Sequence, residues 1–353
     1  MNEIYYIVSS SLDTFFNHLK KRYPVFVPAV KDSAAKEIDY NYCLAQEDTP
    51  FLYNAYRTTE PLKVFFTPVC EKLVDYFTPQ KNITEITQKT IIFGIKSCDI
   101  FGHKVQDFVF LEGAQEDSLY RLRRENIILI SSDCTNFKEV CHCLAWEILP
   151  YPTEGFDLNF SCLNDGYLVE VGSQRGKDLI NEYKEYFSLA KETQVSSRQV
   201  KRQNLIERLR RHLLPQNLVS KESVQKLVRQ GYNADTWKEF MLTCVECGGC
   251  NFICDTCHCF LLADQRQDQI NKKIRVWDSC LYANYARVAG GANPLNTRAK
   301  RLRNRFMKKF DFFVDNLGFP ACCGCGRCIE VCPGKIDIRE VLKDLAKKVA
   351  LVK

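Results

Sequence analysis

Eight of the nineteen cysteines in this 353-residue chain fall into two runs of one spacing. The first reads Cys244-x2-Cys247-x2-Cys250-x3-Cys254, and the second Cys322-x2-Cys325-x2-Cys328-x3-Cys332 followed by Pro333. This is the spacing of bacterial-type ferredoxin runs that hold [4Fe–4S] cubanes. Three thiolates two residues apart wrap one face of a cube, and the fourth corner comes from elsewhere. In two-cluster ferredoxins the fourth cysteine of each run ligates the other cluster. The expected ligand sets are therefore Cys244, Cys247, Cys250 and Cys332 for one cluster, and Cys322, Cys325, Cys328 and Cys254 for the other. Gly248, Gly249, Gly324 and Gly326 suit loops wound this tightly, where positive φ and close backbone approach are needed. A structural zinc site is the plain alternative. Zinc needs four ligands, usually from two C-x2-C knuckles, and two complete four-cysteine runs exceed that need.

A further group lies upstream. Cys98 and Cys134 each follow an apolar run of strand length, TIIFGIKSCD and NIILISSDC, and Cys141-His142-Cys143 follows on the next loop. Strand ends of α/β sheets commonly carry functional groups, so Cys98, Cys134, Cys141 and Cys143 are candidate ligands of a third [4Fe–4S] cluster. The i, i+2 spacing of Cys141 and Cys143 is not the ferredoxin pattern, which leaves Asp99 or His142 as a substitute ligand. Four ordinary buried thiols are the bland reading. Cys257, Cys259, Cys280 and Cys323 read as packing near the clusters, with Cys257 and Cys259 as alternative ligands; Cys43, Cys70 and Cys162 read as core.

The elements that must position these thiols divide the chain. Residues 1–194 read as an α/β domain. IYYIV is a strand, and LDTFFNHLKKRY is a helix with Leu12, Phe15, Phe16 and Leu19 on one face. PVFVPAV is another strand, and Thr67-Pro68 reads as a helix start running through Val74 and Tyr76. FDLNFSCLNDGYLVEV is a hairpin turning at Asn164-Asp165-Gly166, and SQRGKDLINEYKEYF is a helix. Residues 195–235, holding VKRQNLIERLRRHLLP and ESVQKLVRQG, read as a basic helical linker ended once by Pro215. Residues 236–353 read as a mostly helical, ferredoxin-like domain for the two clusters. Asp337-x-x-Glu340 there is an acidic capping box that opens the last helix.

Composition narrows the class. Hydrophobic residues at 46% and charged residues at 26% describe a globular chain. The cysteines cluster at metal-ligand spacing, and MNEIYYIVSSSLDTFF lacks a basic, then apolar, leader, so a reducing cytoplasmic setting is expected. No apolar run is long enough to span a bilayer. Net charge is only +6. Arg298, Lys300, Arg301, Arg303, Arg305, Lys308 and Lys309 form a basic helix, read as a solvated face, as an offset to cluster charge, or, through Arg301, Arg303 and Arg305, as a dock for an acidic partner. Nucleic acid ranks last, because no aromatic platforms interleave the charges. No G-x-G-x-x-G follows a strand and no nucleophile–base motif is evident, so no flavin is expected on this chain and its role is electron transfer without catalysis of its own.

Together these segments resemble the iron–sulfur electron-transfer component of anaerobic sulfite reductase and the related β subunit of sulfhydrogenases. The resemblance rests on KVFFTP..EKLVDYF, GIKSCDI, D..YRLRREN, SSDC, CHC, CVECGGCNFICDTCHCF, WDSC....Y.RVAGGANP..TRA.RLR.RFM.KF and CCGCGRCIEVCP, and it covers most of the chain. It implies a relay between a flavoprotein that oxidises NAD(P)H and a terminal catalytic partner, either a sulfite reductase or a NiFe hydrogenase. Two positions depart from the family. Asp255 stands where proline is usual, leaving Cys254 and Cys257 both open as the closing ligand, and His142 stands where an aromatic is commoner. The reading from another class is a redox sensor, although no groove-reading helix is evident.

Overall fold

A computed structural model describes residues 3–31, 38–76, 88–267 and 270–351. The chain opens with β1 (Ile4–Val8), α1 (Ser9–Arg22), β2 (Val25–Val30), β3 (Tyr40–Leu44) and β4 (Cys70–Asp75). Next come β5 (Thr90–Ile95), α2 (Ser97–Phe110), α3 (Ser118–Asn126), β6 (Ile127–Ser132), β7 (Leu158–Cys162), β8 (Gly166–Val171), α4 (Gln174–Glu182) and the short β9 (Ser188–Leu189). Eight of these strands form one sheet in the order β3-β2-β5-β6-β7-β8-β1-β9. Its centre, β2-β5-β6-β7, is parallel, and both flanks are antiparallel.

The centre explains its own sequence. β5 and β6 are covered on both faces, so they read as continuous apolar runs and not as alternation. Ile91, Phe93, Ile128 and Ile130 pack under Leu12, Phe15, Phe16 and Leu19 of α1. Ile92, Ile95 and Leu129 face the other way, against Leu62, Phe66, Phe110 and Tyr120. The pairing of β5 with β6 slips between Phe93 and Ile95. Gly94 takes φ +77 at that point, and a Cβ on it would come within 2.4 Å of Pro28 Cγ. Such bulges re-aim the end of a strand, and here the residues re-aimed are Lys96, Ser97 and Cys98.

Two expectations are corrected. Thr67-Pro68 does not open a helix: residues 70–75 form β4, with exposure alternating along it. The partner that decides this is β11 (Ile270–Trp277), some two hundred residues away in sequence. It pairs in turn with β10 (Phe260–Gln267), giving the order β10-β11-β4. The segment between the cysteine runs is therefore not only helical. It carries a hairpin, tied to β4 by buried Glu71, which accepts from both Arg123 and Arg275.

The remaining elements are α5 (Glu192–Leu213), α6 (Lys221–Gln230), α7 (Thr236–Phe240), α8 (Gly249–Phe252), α9 (Arg298–Met307), α10 (Phe313–Leu317), α11 (Arg327–Glu330) and α12 (Ile338–Leu351). α5 lies on the large sheet: Arg202 forks onto Asp133 at 2.8 and 3.0 Å, and Arg198 donates to Glu170 at 2.9 Å. Trp237, Leu302, Phe306, Phe310, Val341 and Leu345 build one apolar cluster that also takes in Trp146, Ile148 and Cys98 from the α/β part. Asp337 caps α12 by accepting from Arg339 N–H at 2.8 Å. Glu340 pairs forward with Lys343.

Candidate iron–sulfur sites

The two runs wind alike. Gly248 (φ +74) precedes the single turn of α8, and Gly326 (φ +75) precedes that of α11. Gly249, although expected to need the same freedom, is simply the first residue of α8.

Thiols of each expected set lie within electrostatic reach of one another. Cys250 lies within electrostatic reach of Cys332, Cys244 and Cys247. These four, with Cys328, bound a cavity of about 40 Å³ closed by Met241, Leu302 and Phe306. Cys328 in turn lies within reach of Cys254, Cys322 and Cys325. Burial pushes Cys328 up to about 12 and Cys322 up to about 11. A hydrogen bond from Cys257, with Lys309 assisting, holds Cys254 well below the usual thiol range against the opposing effect of burial. A hydrogen bond from Cys323 likewise draws Cys325 down to about 6.

Upstream, Cys143 lies within reach of Cys141 and Cys134, and Cys98 within reach of Cys325 and Cys134. Burial pushes Cys134 up to about 12. This third group abuts the second run directly. His142 N–H donates to Gly324 O at 2.8 Å, and Gly324 (φ +62) has no room for a Cβ, which would stand 2.6 Å from Cys143 N and Cα. Of the substitutes considered for a ligand here, Asp99 is committed to Arg327. His142 Nδ1 sits on Val140 O at 2.9 Å, and its buried Nε2 has no partner.

These donor sets fit iron–sulfur cubanes. Buried thiolates crowded together repel unless iron neutralises them, and cations without a carboxylate partner among the described residues lie at the sites. Lys309 Nζ, 4% exposed at the residue level, donates to Cys254 Sγ (3.3 Å), Thr256 Oγ1 (2.7 Å) and Ala321 O (3.1 Å). A π turn at Lys308–Phe312 delivers it there. Arg305, also buried, lies within reach of Cys250 and Cys328, one from each set, and its Nε has no acceptor. A bound cubane would supply a one-electron couple; the protein's part is to hold the thiols, exclude water and offset charge. Among the described residues, no three His, Cys, Asp or Glu side chains converge as a single metal ion requires.

The basic helix is thus corrected in two of its three proposed docking residues. Arg305 faces the thiols. Arg301 is 3% exposed and spends its guanidinium on Glu246, Leu281 O and Leu295 O. Arg303 stacks on Tyr232, 3.8 Å from the ring centre.

Sequence reasoning missed the cations that join the sites. Arg327, inside the second run, reaches Asp99 and Asp255, each next to a candidate ligand. Arg57 donates to Cys325 O at 3.0 Å. Lys96 donates to Asn54 O, Ser132 Oγ and Asp133 O, and burial lowers it to about 8. The one available signal was a charged residue within a cysteine run. Asp255, where proline is usual, accepts from Lys63 N–H at 3.0 Å and pairs with Arg327.

A family model for a 4Fe–4S dicluster domain matches residues 243–336, which contain both runs. Over 335 residues, 94% of this chain and 95% of the relative, the sequence is 31% identical to the sulfhydrogenase 2 subunit beta of Pyrococcus furiosus. This is an iron–sulfur chain of the electron-transfer type, and it belongs to the family of sulfhydrogenase β subunits.

Proposed function

We propose that the chain relays electrons between a flavoprotein subunit that oxidises NAD(P)H and a terminal catalytic subunit of the NiFe hydrogenase or sulfite reductase type, in a cytoplasmic complex. The observation that carries this reading is the series of three thiol groups. Cys98, Cys134, Cys141 and Cys143 meet the second group at Cys98–Cys325. The second group, Cys254, Cys322, Cys325 and Cys328, meets the first across Arg305. The first, Cys244, Cys247, Cys250 and Cys332, ends at exposed Cys247. A [4Fe–4S] cluster in each would make a path from the α/β part, residues 1–194, past the helical stretch 195–235, to the surface of residues 236–353. Cys254 is taken as the closing ligand, with Cys257, which is hydrogen-bonded to it, as the alternative.

The test uses the whole chain, purified anaerobically. It should carry about twelve irons with equal sulfide, and Cys134→Ala should lose about four. Alone it should neither hold flavin nor oxidise NADPH; with the flavoprotein its clusters should be reduced. Stoichiometric zinc without sulfide, or NADPH oxidation by the isolated chain, would overturn the reading. A redox sensor would instead bind its target in one oxidation state only.

A further inference from the structure

Beside the third thiol group, α5 and the carboxyl ends of β6 and β7 enclose a cavity of about 250 Å³, lined in part by Asp133, Cys134 and Cys162. Open α/β sheets bind ligands at this edge. Arg198, Lys201, Arg202 and Arg208, all from one face of α5, line it with the hydroxyls of Thr135 and Ser161.

The charges do not balance. Arg202 is forked onto Asp133, and Arg198 Nη1 holds Glu170. Lys201 donates to the amide oxygen of Asn164 and Arg208 to that of Asn136, each at 2.9 Å, and Arg208 also lies over the Phe137 ring. Neither has a carboxylate partner among the described residues. Arg198 is 7% exposed, yet its Nε has no acceptor among the described residues. A buried guanidinium N–H without a partner is unfavourable, and an acceptor brought to it relieves that. Burial and then the neighbouring Arg202 lower the Arg198 guanidinium, so negative charge brought here is favoured.

We propose that this cavity binds a small tetrahedral oxyanion, either free or as the phosphoryl group of a larger molecule. The anion accepts from Arg198 Nε, with Lys201 and Arg208 closing over it from the solvent side. Thr135 and Ser161 offer hydroxyls to its remaining oxygens. Cys134, proposed above as a ligand of the third cluster, lines the same cavity; the anion's contacts come from α5, Thr135 and Ser161 and do not use that thiol.

The probes are inorganic phosphate, sulfate and glycerol phosphate, titrated by calorimetry into the cluster-loaded full chain at low ionic strength. One-to-one binding with Kd below about 1 mM is expected for at least one of them. Binding of all three points to the free anion, and binding of glycerol phosphate alone to a phosphoryl ligand. The Lys201→Gln/Arg208→Gln variant changes only exposed side chains and should melt like the parent while binding at least about tenfold more weakly. Arg198→Lys, which keeps the charge and removes Nε, should weaken binding as well. Flat isotherms for all three probes, displacement of phosphate by chloride at equal ionic strength, or parental affinity in the double variant would each overturn the site.

Discussion

The guanidinium of Arg327 stands 2.9 Å from the carboxylate of Asp255, with both side chains wholly buried. The same nitrogen pairs with Asp99 at 2.5 Å. Asp99 follows Cys98 and Asp255 follows Cys254, so one side chain of the second run ties a thiol of the third group to the crossing thiol of the first run. Burial, and then the charge of Asp99, push the Asp255 carboxyl well above its usual range. The junction depends on Arg327 for neutrality.

Breaking a buried pair by removing one partner costs about 3–5 kcal/mol. Arg327→Gln should therefore destabilise the chain by about that much in anaerobic denaturation, and adding Asp255→Asn should recover part of it. An Arg327→Gln variant as stable as the parent would show that the carboxylates are neutral without it.

Lys309 and Arg305 bring positive charge to the thiols. Lys309→Met should shift the nearest cluster's potential to more negative values, by at least about 60 mV, the one-electron equivalent of a tenfold change. Potentiometric titration followed by EPR reads the shift, and an unmoved potential would remove Lys309 from the charge balance.

Gly324→Ala forces a Cβ against Cys143 at φ +62. The strain of a left-handed non-glycine residue, about 1–3 kcal/mol, falls where the second and third groups touch. Iron content should drop by about four, with loss confined to the third group. Retention of full iron would show that the loops part without consequence.

His103 is buried against Phe66, and burial holds its imidazole well below the usual range. The folded chain keeps it neutral, while the unfolded chain takes up a proton as pH falls through about 6.5. Its contribution to stability is therefore fully present above that pH and lost below it, at about 1.4 kcal/mol per pH unit. The difference in stability between parent and His103→Phe should change with this slope between pH 7 and pH 5, and a constant difference would sink the assignment.

The chemistry of this protein was legible in local spacing. C-x2-C-x2-C-x3-C names its cofactor class because a cubane's geometry allows few loop lengths. The strands that precede Cys98 and Cys134 were legible because strands buried on both faces must be apolar throughout. Leu12, Phe15, Phe16 and Leu19 announced α1 by helical period. What only the tertiary structure decided are the contacts whose partners lie far off in sequence. Residues 70–75 became a strand because β11 offered hydrogen bonds that a lone Thr-Pro helix start could not match. Arg301, Arg305 and Lys309, three charges on a helix that looked solvated, turned inward because buried thiols and carbonyls awaited them. Spacing cannot report that choice, since a basic side chain faces water or an anion with equal ease until the rest of the chain has placed the anion.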